Sequence, residues 1–129
     1  MSADPFASVS ELAAEIRARR VSAAELVEPY LSRIARHNPA LNAICTLDAE
    51  GARSRARELD AGPIRGPLHG VPMTTKDALE TAGLRTTGGH PPLKDYVPKA
   101  DASAVARLKA AGAILLGKTN VPPLSADYR

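Results

Sequence analysis

The sequence predicts an α/β fold in which N-terminal helices are followed by part of a mixed, largely parallel sheet that is flanked by helices. The helices are predicted by two amphipathic segments in the first third of the chain, each of which begins with a Ser/Glu capping box. One observation in the second half supports the sheet. Two short apolar runs are separated there by a helical pattern, which is typical of a strand, a crossover helix and a parallel second strand.

The first helix is predicted to follow Ser8, which has capping-box spacing with Glu11. The second helix is predicted to follow Ser22, which has the same spacing with Glu25. Its apolar residues recur at the helical period, and Asn38 with Pro39 is expected to end it. These apolar positions are Val9, Leu12, Ala13 and Ile16 in the first helix and Val27, Tyr30, Leu31 and Ile34 in the second.

A short strand and a third helix come next. Residues 41–47 have the apolar character of a strand, and Asp48 then begins an Ala/Arg-rich helix that ends before Gly62 and Pro63. Ala52, Ala56 and Leu59 recur at helical spacing. We therefore expect these three side chains to face the core and the arginines to face water.

A strand is also predicted after Gly70, because Val71, Met73 and Thr75 alternate with more polar neighbours. Lys76 and Asp77 end this apolar run, which places Lys76 at the carboxyl end of the strand. Ligands of open α/β sheets bind at that end. Lys76 is therefore the first candidate for a functional side chain.

The last predicted helix is capped by Asp101 or Ser103 and is followed by Gly112, a residue favoured after helix ends. Residues 113–116 then form a buried strand. Because the helix connects two strands, we expect a parallel pair with a right-handed crossover. Lys76 and Lys118 should consequently emerge at the same end of the sheet.

Residues 112–119 match the phosphate-loop pattern G-x-x-x-x-G-K-[ST] letter for letter. A phosphate loop follows its strand and opens a helix, so that free backbone N–H groups point at the phosphates. The positions between these two glycines are instead apolar, and Pro122 and Pro123 oppose a helix soon after. We therefore predict a strand here and no bound nucleotide.

The composition is that of a globular chain, with 44% hydrophobic and 24% charged residues and a net charge of +3. The basic residues form no stripe interleaved with aromatics, so no nucleic-acid partner is expected. No apolar run reaches the length of a membrane span, and the first residues lack the pattern of a signal peptide. These features predict a cytoplasmic location without a membrane partner and leave the oligomeric state open.

Two segments, GPLHGVPMTTKDALETAGLRTT at 66–87 and DASAVARLKAAGAILLGKTNVP at 101–122, strongly resemble the amidase signature family of hydrolases that cleave carbon–nitrogen bonds. The resemblance implies that residues 1–129 are a single partial domain, with a mainly helical region at 1–62 and the start of the amidase signature core at 63–129. It also implies that Lys76 is the base of a Ser, cis-Ser, Lys triad. The two serines of that triad belong to a downstream Gly-rich GGSSGG-type segment.

None of the eight serines of this sequence lies in such a segment, so the isolated chain is expected to be inactive. We expect Gly70, Asp77, Thr119 and Asn120 to shape the site, and Lys118 to support it. The substrate implied by the resemblance is a small-molecule amide, and no cofactor is implied, because the serine and lysine chemistry needs neither a metal nor a nucleotide. One alternative is a fragment of the A subunit of a glutamine-dependent tRNA amidotransferase, and another is a noncatalytic remnant or binding fragment. For Lys76 itself, the alternative is a surface lysine in an ion pair with Asp77 or Glu80.

Overall fold

The fold is a mixed α/β arrangement, described for residues 4–126 by a computed structural model. This part of the chain has four α-helices, three strands and two short 3-10 helices, and none of its helices is long and apolar enough to cross a membrane. The elements in chain order are α1 Val9–Arg17, α2 Ala23–Leu41, β1 Ile44–Leu47, α3 Ala49–Asp60, β2 Pro72–Lys76, the 3-10 helix Pro91–Leu93, α4 Ser103–Ala110, β3 Ile114–Thr119 and the 3-10 helix Pro123–Ser125.

Both predicted capping boxes are present. The Ser8 hydroxyl accepts from the Glu11 N–H, and the Ser22 hydroxyl accepts from the Glu25 N–H. The predicted end of α2 was wrong, because the helix continues through Pro39 to Leu41. Pro39 lies in the last turn of α2, so the backbone hydrogen bond that it cannot donate is lost only near the end of the helix. Asn42, in the left-handed conformation, ends the helix by donating its N–H to the carbonyl of residue 38 at 2.7 Å.

The start of β1 moves with the end of α2. The Asn38 side chain accepts from the Ile44 N–H at 2.8 Å and donates to the Ile44 carbonyl at 2.9 Å. This amide therefore clamps the first residue of β1 to α2. The strand begins at Ile44, whereas the sequence had predicted that it begins at Leu41.

The sheet has the order β1-β3-β2, with β2 parallel and β1 antiparallel to β3. The predicted mixed α/β class and the predicted parallel pair are confirmed. Between Met73 and Thr74 the register on β3 advances from Leu115 to Gly117, which is a β-bulge. A Cβ atom at Gly117 would lie 2.2 Å from the Thr46 carbonyl oxygen, so only glycine fits between the strands at this point.

The main core lies between α2, α3 and β3. The predicted inward residues of α3 are all buried there, together with residues of the other two elements: Ala23, Val27, Leu31, Ala52, Ala56, Leu59, Ile114 and Leu116. A second cluster joins α1 and α2 to the residue before β2 through Leu12, Ile16, Leu26 and Val71. The helices of the first half therefore pack on the sheet of the second half, and their burial of apolar surface is the main stabilising contribution.

The predicted cap of α4 was wrong for both candidates, since Ala102 occupies the cap position without a side-chain hydrogen bond. Asp101 instead accepts from the Ala82 N–H at 2.8 Å and from the Lys109 ammonium at 2.8 Å. Burial opposes ionisation of this carboxyl, but the hydrogen bonds from Lys109 and Ala82 hold the pKa of Asp101 below its ordinary value. Asp101 is thus drawn away from the helix end and ties α4 to the long segment after β2.

Residues 114–119 form β3, as the apolar character of their first half predicted, and the glycine at 112 precedes the strand. A helix does not follow directly, because residues 120–122 are irregular and only a single 3-10 turn comes next. The backbone N–H of Asp77 donates to the Thr119 carbonyl at 2.9 Å, so the ladder extends to the last residue of β3. The segment therefore lacks the loop-then-helix geometry of a phosphate loop.

Candidate active site at the carboxyl ends of β2 and β3

Lys76 is the last residue of β2 and pairs with Thr119 of β3. Its side chain is exposed to solvent when residues 4–126 are considered. Its backbone is fixed on both sides, because the Lys76 carbonyl accepts from the Leu79 N–H at 2.9 Å and the next N–H, that of Asp77, is bonded to Thr119. Lys76 is thus an accessible amine on a rigid strand end, at the sheet edge where the sequence placed it.

The alternative of a simple surface ion pair does not fit this geometry. The Asp77 carboxylate accepts hydrogen bonds from the backbone N–H and the hydroxyl of Thr87. Glu80 accepts from the Tyr96 hydroxyl at 2.6 Å. Within residues 4–126 neither carboxylate forms an ion pair with Lys76.

The described residues leave the Lys76 side chain exposed, so the strand before it and the Gly/Thr turn after it do not remove it from water. The buried lysine is Lys118, whose relative exposure is 0%. The Lys118 ammonium donates to the Leu79 carbonyl at 2.5 Å and to the Thr86 hydroxyl at 2.7 Å. Burial lowers the pKa of Lys118, and the negative charge of Asp77 opposes that shift.

Asp77 is buried beside the strand ends, with 2% of its surface exposed. One carboxylate oxygen, Oδ2, holds Thr87, and the Asp77 carbonyl accepts from the Gly88 N–H at 3.0 Å. The other oxygen, Oδ1, has no hydrogen-bond partner among the described residues. Asp77 therefore draws the far end of the segment 77–89 back to the end of β2.

Thr119 pairs with Lys76 across the sheet, and Asn120 follows it in the chain. Their part in shaping the site stays a prediction. The Thr119 hydroxyl is within 3.4 Å of the Thr75 carbonyl. The Asn120 side chain donates to the Asn42 carbonyl at 3.1 Å, and the Asn120 N–H donates to the Ala43 carbonyl at 2.8 Å. These contacts join the end of β3 to the turn between α2 and β1.

Gly70 lies apart from this group, at the amino end of the strand that Lys76 ends. Its φ of +77° suits glycine, and a Cβ atom there would lie 2.9 Å from the Cβ atom of Ala23. The residue shapes the turn that leads into β2. Its part in the site stays a prediction.

The segment 77–89 is the feature that the sequence did not reveal. Thr86 and Thr87 contact the two buried charges, although nothing in the Gly/Thr composition indicates which of them bonds to which. The sequence does contain one signal, which is that charged residues occur at or near the ends of both strands: Lys76 and Asp77 in one, and Lys118 in the other.

No group of three or more His, Cys, Asp or Glu side chains among residues 4–126 is arranged to hold a metal ion.

Comparison with known proteins identifies the family of this site. The amidase family model matches residues 25–129, which includes every site residue described above. The chain belongs to the amidase family. The resemblance seen in the two sequence segments is thereby confirmed.

Individual proteins that are similar to the chain support this family assignment. The chain is 50% identical over 118 residues to the A subunit of the glutamyl-tRNA(Gln) amidotransferase of Azoarcus sp. (strain BH72), covering 89% of this chain and 24% of the relative. It is 41% identical over 119 residues to an acylamidase of Rhodococcus erythropolis, covering 89% and 25%. The structure superposes on native peptide amidase from Stenotrophomonas maltophilia with a TM-score of 0.83 and 37% identity, covering 92% of this chain and 26% of that one.

The chain therefore spans about a quarter of the length of the amidase relatives that it matches. The fold of that quarter is the fold of amidases, and the family acts on carbon–nitrogen bonds.

Proposed function

We propose that this chain supplies the lysine base of an amidase that hydrolyses small-molecule amides by a Ser, cis-Ser, Lys mechanism. The observation that carries the proposal is the placement of Lys76 as an accessible amine on a rigid strand end at the carboxyl edge of the sheet. Both nearby carboxylates have other partners, so the amine is available to a reacting group. In this proposal Asp77, Thr119 and Asn120 fix the surroundings of Lys76.

The proposed reaction begins with neutral Lys76, which takes a proton from a bridging serine while that serine takes one from the attacking serine. The attacking oxygen bonds to the amide carbonyl carbon, and backbone N–H groups stabilise the negative oxygen that results. The carbon–nitrogen bond breaks as the proton passes to the leaving amine. Water then adds to the acyl-enzyme, the ester bond breaks, and the acid and the free serine are released.

Neither serine of this mechanism is supplied by residues 1–129, because none of their serines lies in a Gly-rich Ser-Ser segment. We propose that the isolated chain is inactive for this reason. Sequencing the gene beyond the codon for Arg129 in all three frames tests the proposal. A Gly-rich Ser-Ser segment is the expected result, and its absence would favour the noncatalytic remnant.

The role of Lys76 is tested in the full-length protein with Lys76→Met, which keeps the length of the side chain but removes the amine. Loss of a general base typically costs about 100-fold to 10,000-fold in rate, so we expect kcat to fall by about 1,000-fold. Lys94→Met is the matched control, since the Lys94 side chain is 77% exposed and its ammonium forms a surface ion pair with Asp95 at 3.6 Å. A Lys76→Met enzyme that turns over within a few-fold of the parent would show that Lys76 is not the base.

A second candidate function is the glutaminase reaction of an amidotransferase A subunit, favoured by the 50% identity to the corresponding protein of Azoarcus. The same lysine base would serve both reactions, so the described site fits either. The test compares ammonia release from glutamine with hydrolysis of simple aliphatic and aromatic amides by the full-length protein. Faster cleavage of glutamine would favour the amidotransferase reading, and faster cleavage of simple amides would favour a free-standing amidase.

A further inference from the structure

Lys118 and Asp77 are two oppositely charged residues that are both almost completely buried next to Lys76. The proposed mechanism assigns neither of them a proton transfer. An ammonium and a carboxylate lose their hydration when they are buried, and the described residues place no direct ion pair between these two, because each is hydrogen-bonded to other groups. Stability is therefore a weak reason for this pair, which points to a role in geometry.

The contacts of the pair indicate what geometry it sets. Lys118 donates to the Leu79 carbonyl and to the Thr86 hydroxyl, and Asp77 accepts from the N–H and the hydroxyl of Thr87. All three partners belong to the segment 77–89, which leaves the sheet immediately after Lys76. Each charge therefore holds this segment against the strand ends.

The register of the sheet explains why the pair bears on Lys76. Thr75 pairs with Lys118 and Lys76 pairs with Thr119, and successive residues of a strand point to opposite faces. Lys118 thus lies on one face, under the segment 77–89, while Lys76 points to the other. The Lys76 carbonyl accepts from the Leu79 N–H, and the Leu79 carbonyl accepts from Lys118, so a shift of the segment would move the Lys76 backbone.

We propose that Lys118 and Asp77 are positioning residues that hold the segment 77–89 on one face of the sheet and thereby fix Lys76 on the other. This inference rests on the proposed function, because it assumes that Lys76 is the base. It assigns a role in ordering the active site to the lysine of the GKT segment, which matches the phosphate-loop pattern but lacks the geometry of a phosphate loop.

The test uses the full-length enzyme and the amide or glutamine that it hydrolyses, with Lys118→Met, Asp77→Asn and the double variant. Removing one charge leaves the other buried without the nearby opposite charge that offsets it, so each single variant should lower the urea midpoint of unfolding. The double variant removes both charges and should regain most of that midpoint. A displacement of about 1 Å in a reacting group can cost about 100-fold in rate, so we expect the double variant to keep a loss of about 100-fold in kcat, with KM within about threefold.

Lys94→Met is again the matched control, because Lys94 is an exposed lysine in an ion pair with Asp95, outside segment 77–89. It should keep kcat within about threefold. Thr86→Val removes one acceptor of Lys118 with little change in shape, and it should lower kcat by about tenfold. This variant decides the question if the charge substitutions prevent folding. A double variant with wild-type kcat, or a folded Thr86→Val with wild-type kcat, would overturn the proposal.

The Lys76→Met enzyme separates this proposal from the one on which it rests. If Lys76→Met keeps wild-type turnover, the proposed function fails. If Lys76→Met is inactive while the double variant is fully active, the proposed function stands and only the positioning role of Lys118 and Asp77 fails.

Discussion

Asp60 makes a contact between two helices whose strength can be worked out from the structure. It is the last residue of α3, and its two carboxylate oxygens accept from the Ala23 N–H at 2.7 Å and from the Ala24 N–H at 3.0 Å. These donors belong to the first turn of α2, where backbone N–H groups have no partner within the helix. Asp60 therefore caps α2 from outside, beside the Ser22 capping box.

The expected cost of Asp60→Ala follows from these two bonds. A hydrogen bond to a charged group contributes about 1.5–3 kcal/mol, and water can reach part of this half-buried helix end after the substitution. We therefore take the lower value for each bond and expect the free energy of unfolding to fall by about 3 kcal/mol. Asp60→Asn keeps one acceptor oxygen and should cost about half as much.

Equilibrium urea unfolding, followed by far-ultraviolet circular dichroism, measures this change in the midpoint of unfolding. Glu50→Ala is the matched control on the same helix, because the Glu50 side chain is 84% exposed and forms a surface ion pair with Arg53. Exposed ion pairs contribute about 0–1 kcal/mol, so the control should be nearly neutral. If Asp60→Ala costs no more than Glu50→Ala, the external cap does not stabilise α2 and the reasoning is refuted.

Four further substitutions, one of them a control, test the packing and the pH dependence. Gly112→Ala should destabilise by at least about 2 kcal/mol in urea unfolding, since φ is +95° and a Cβ atom would lie 2.6 Å from the Cα atom of His69, whereas Gly83→Ala, at φ +78° with open space around it, should cost about 1 kcal/mol. Leu59→Ala, at 0% exposure, should cost about 2–5 kcal/mol, and a thermal midpoint equal to that of the parent would contradict the core assignment. Burial lowers the pKa of His69, so the unfolded chain takes up the proton first and stability should decrease as the pH falls below 6.5. His69→Gln should remove this part of the pH dependence of the urea midpoint, and an unchanged dependence would assign it to another group.

The parts of the fold that the sequence predicted are those set by neighbouring residues. Ser8 and Ser22 cap their helices through bonds three residues away, which a linear pattern can indicate. The end of α2 depends instead on the Asn38 side chain bonding to Ile44 across a turn, and the cap of α4 is lost because Asp101 bonds to Lys109. Those choices are made by tertiary contacts, which the local pattern does not contain.

The candidate site was likewise predicted from the sequence only in part. The place of Lys76 followed from the end of an alternating strand, but the face of Lys118 did not follow from β3. An unbroken strand would place Lys118 on the face of Ile114 and Leu116. The bulge at Gly117 pairs Lys118 with Thr75 instead and so turns it toward segment 77–89, and bulges commonly redirect side chains in this way near active sites.

The division of the sheet into two faces limits where the partners of Lys76 can approach. The face that bears Lys118 and Thr75 is filled by segment 77–89, with the Thr75 and Thr81 hydroxyls 3.4 Å apart beneath it. The face that bears Lys76 is open at the strand end. Under the proposed mechanism, the bridging serine must therefore reach Lys76 from its open face, and the polypeptide that carries that serine would also exclude water from the amine. Because only the neutral amine can accept a proton, the arrival of that polypeptide would supply the desolvation that residues 4–126 leave incomplete.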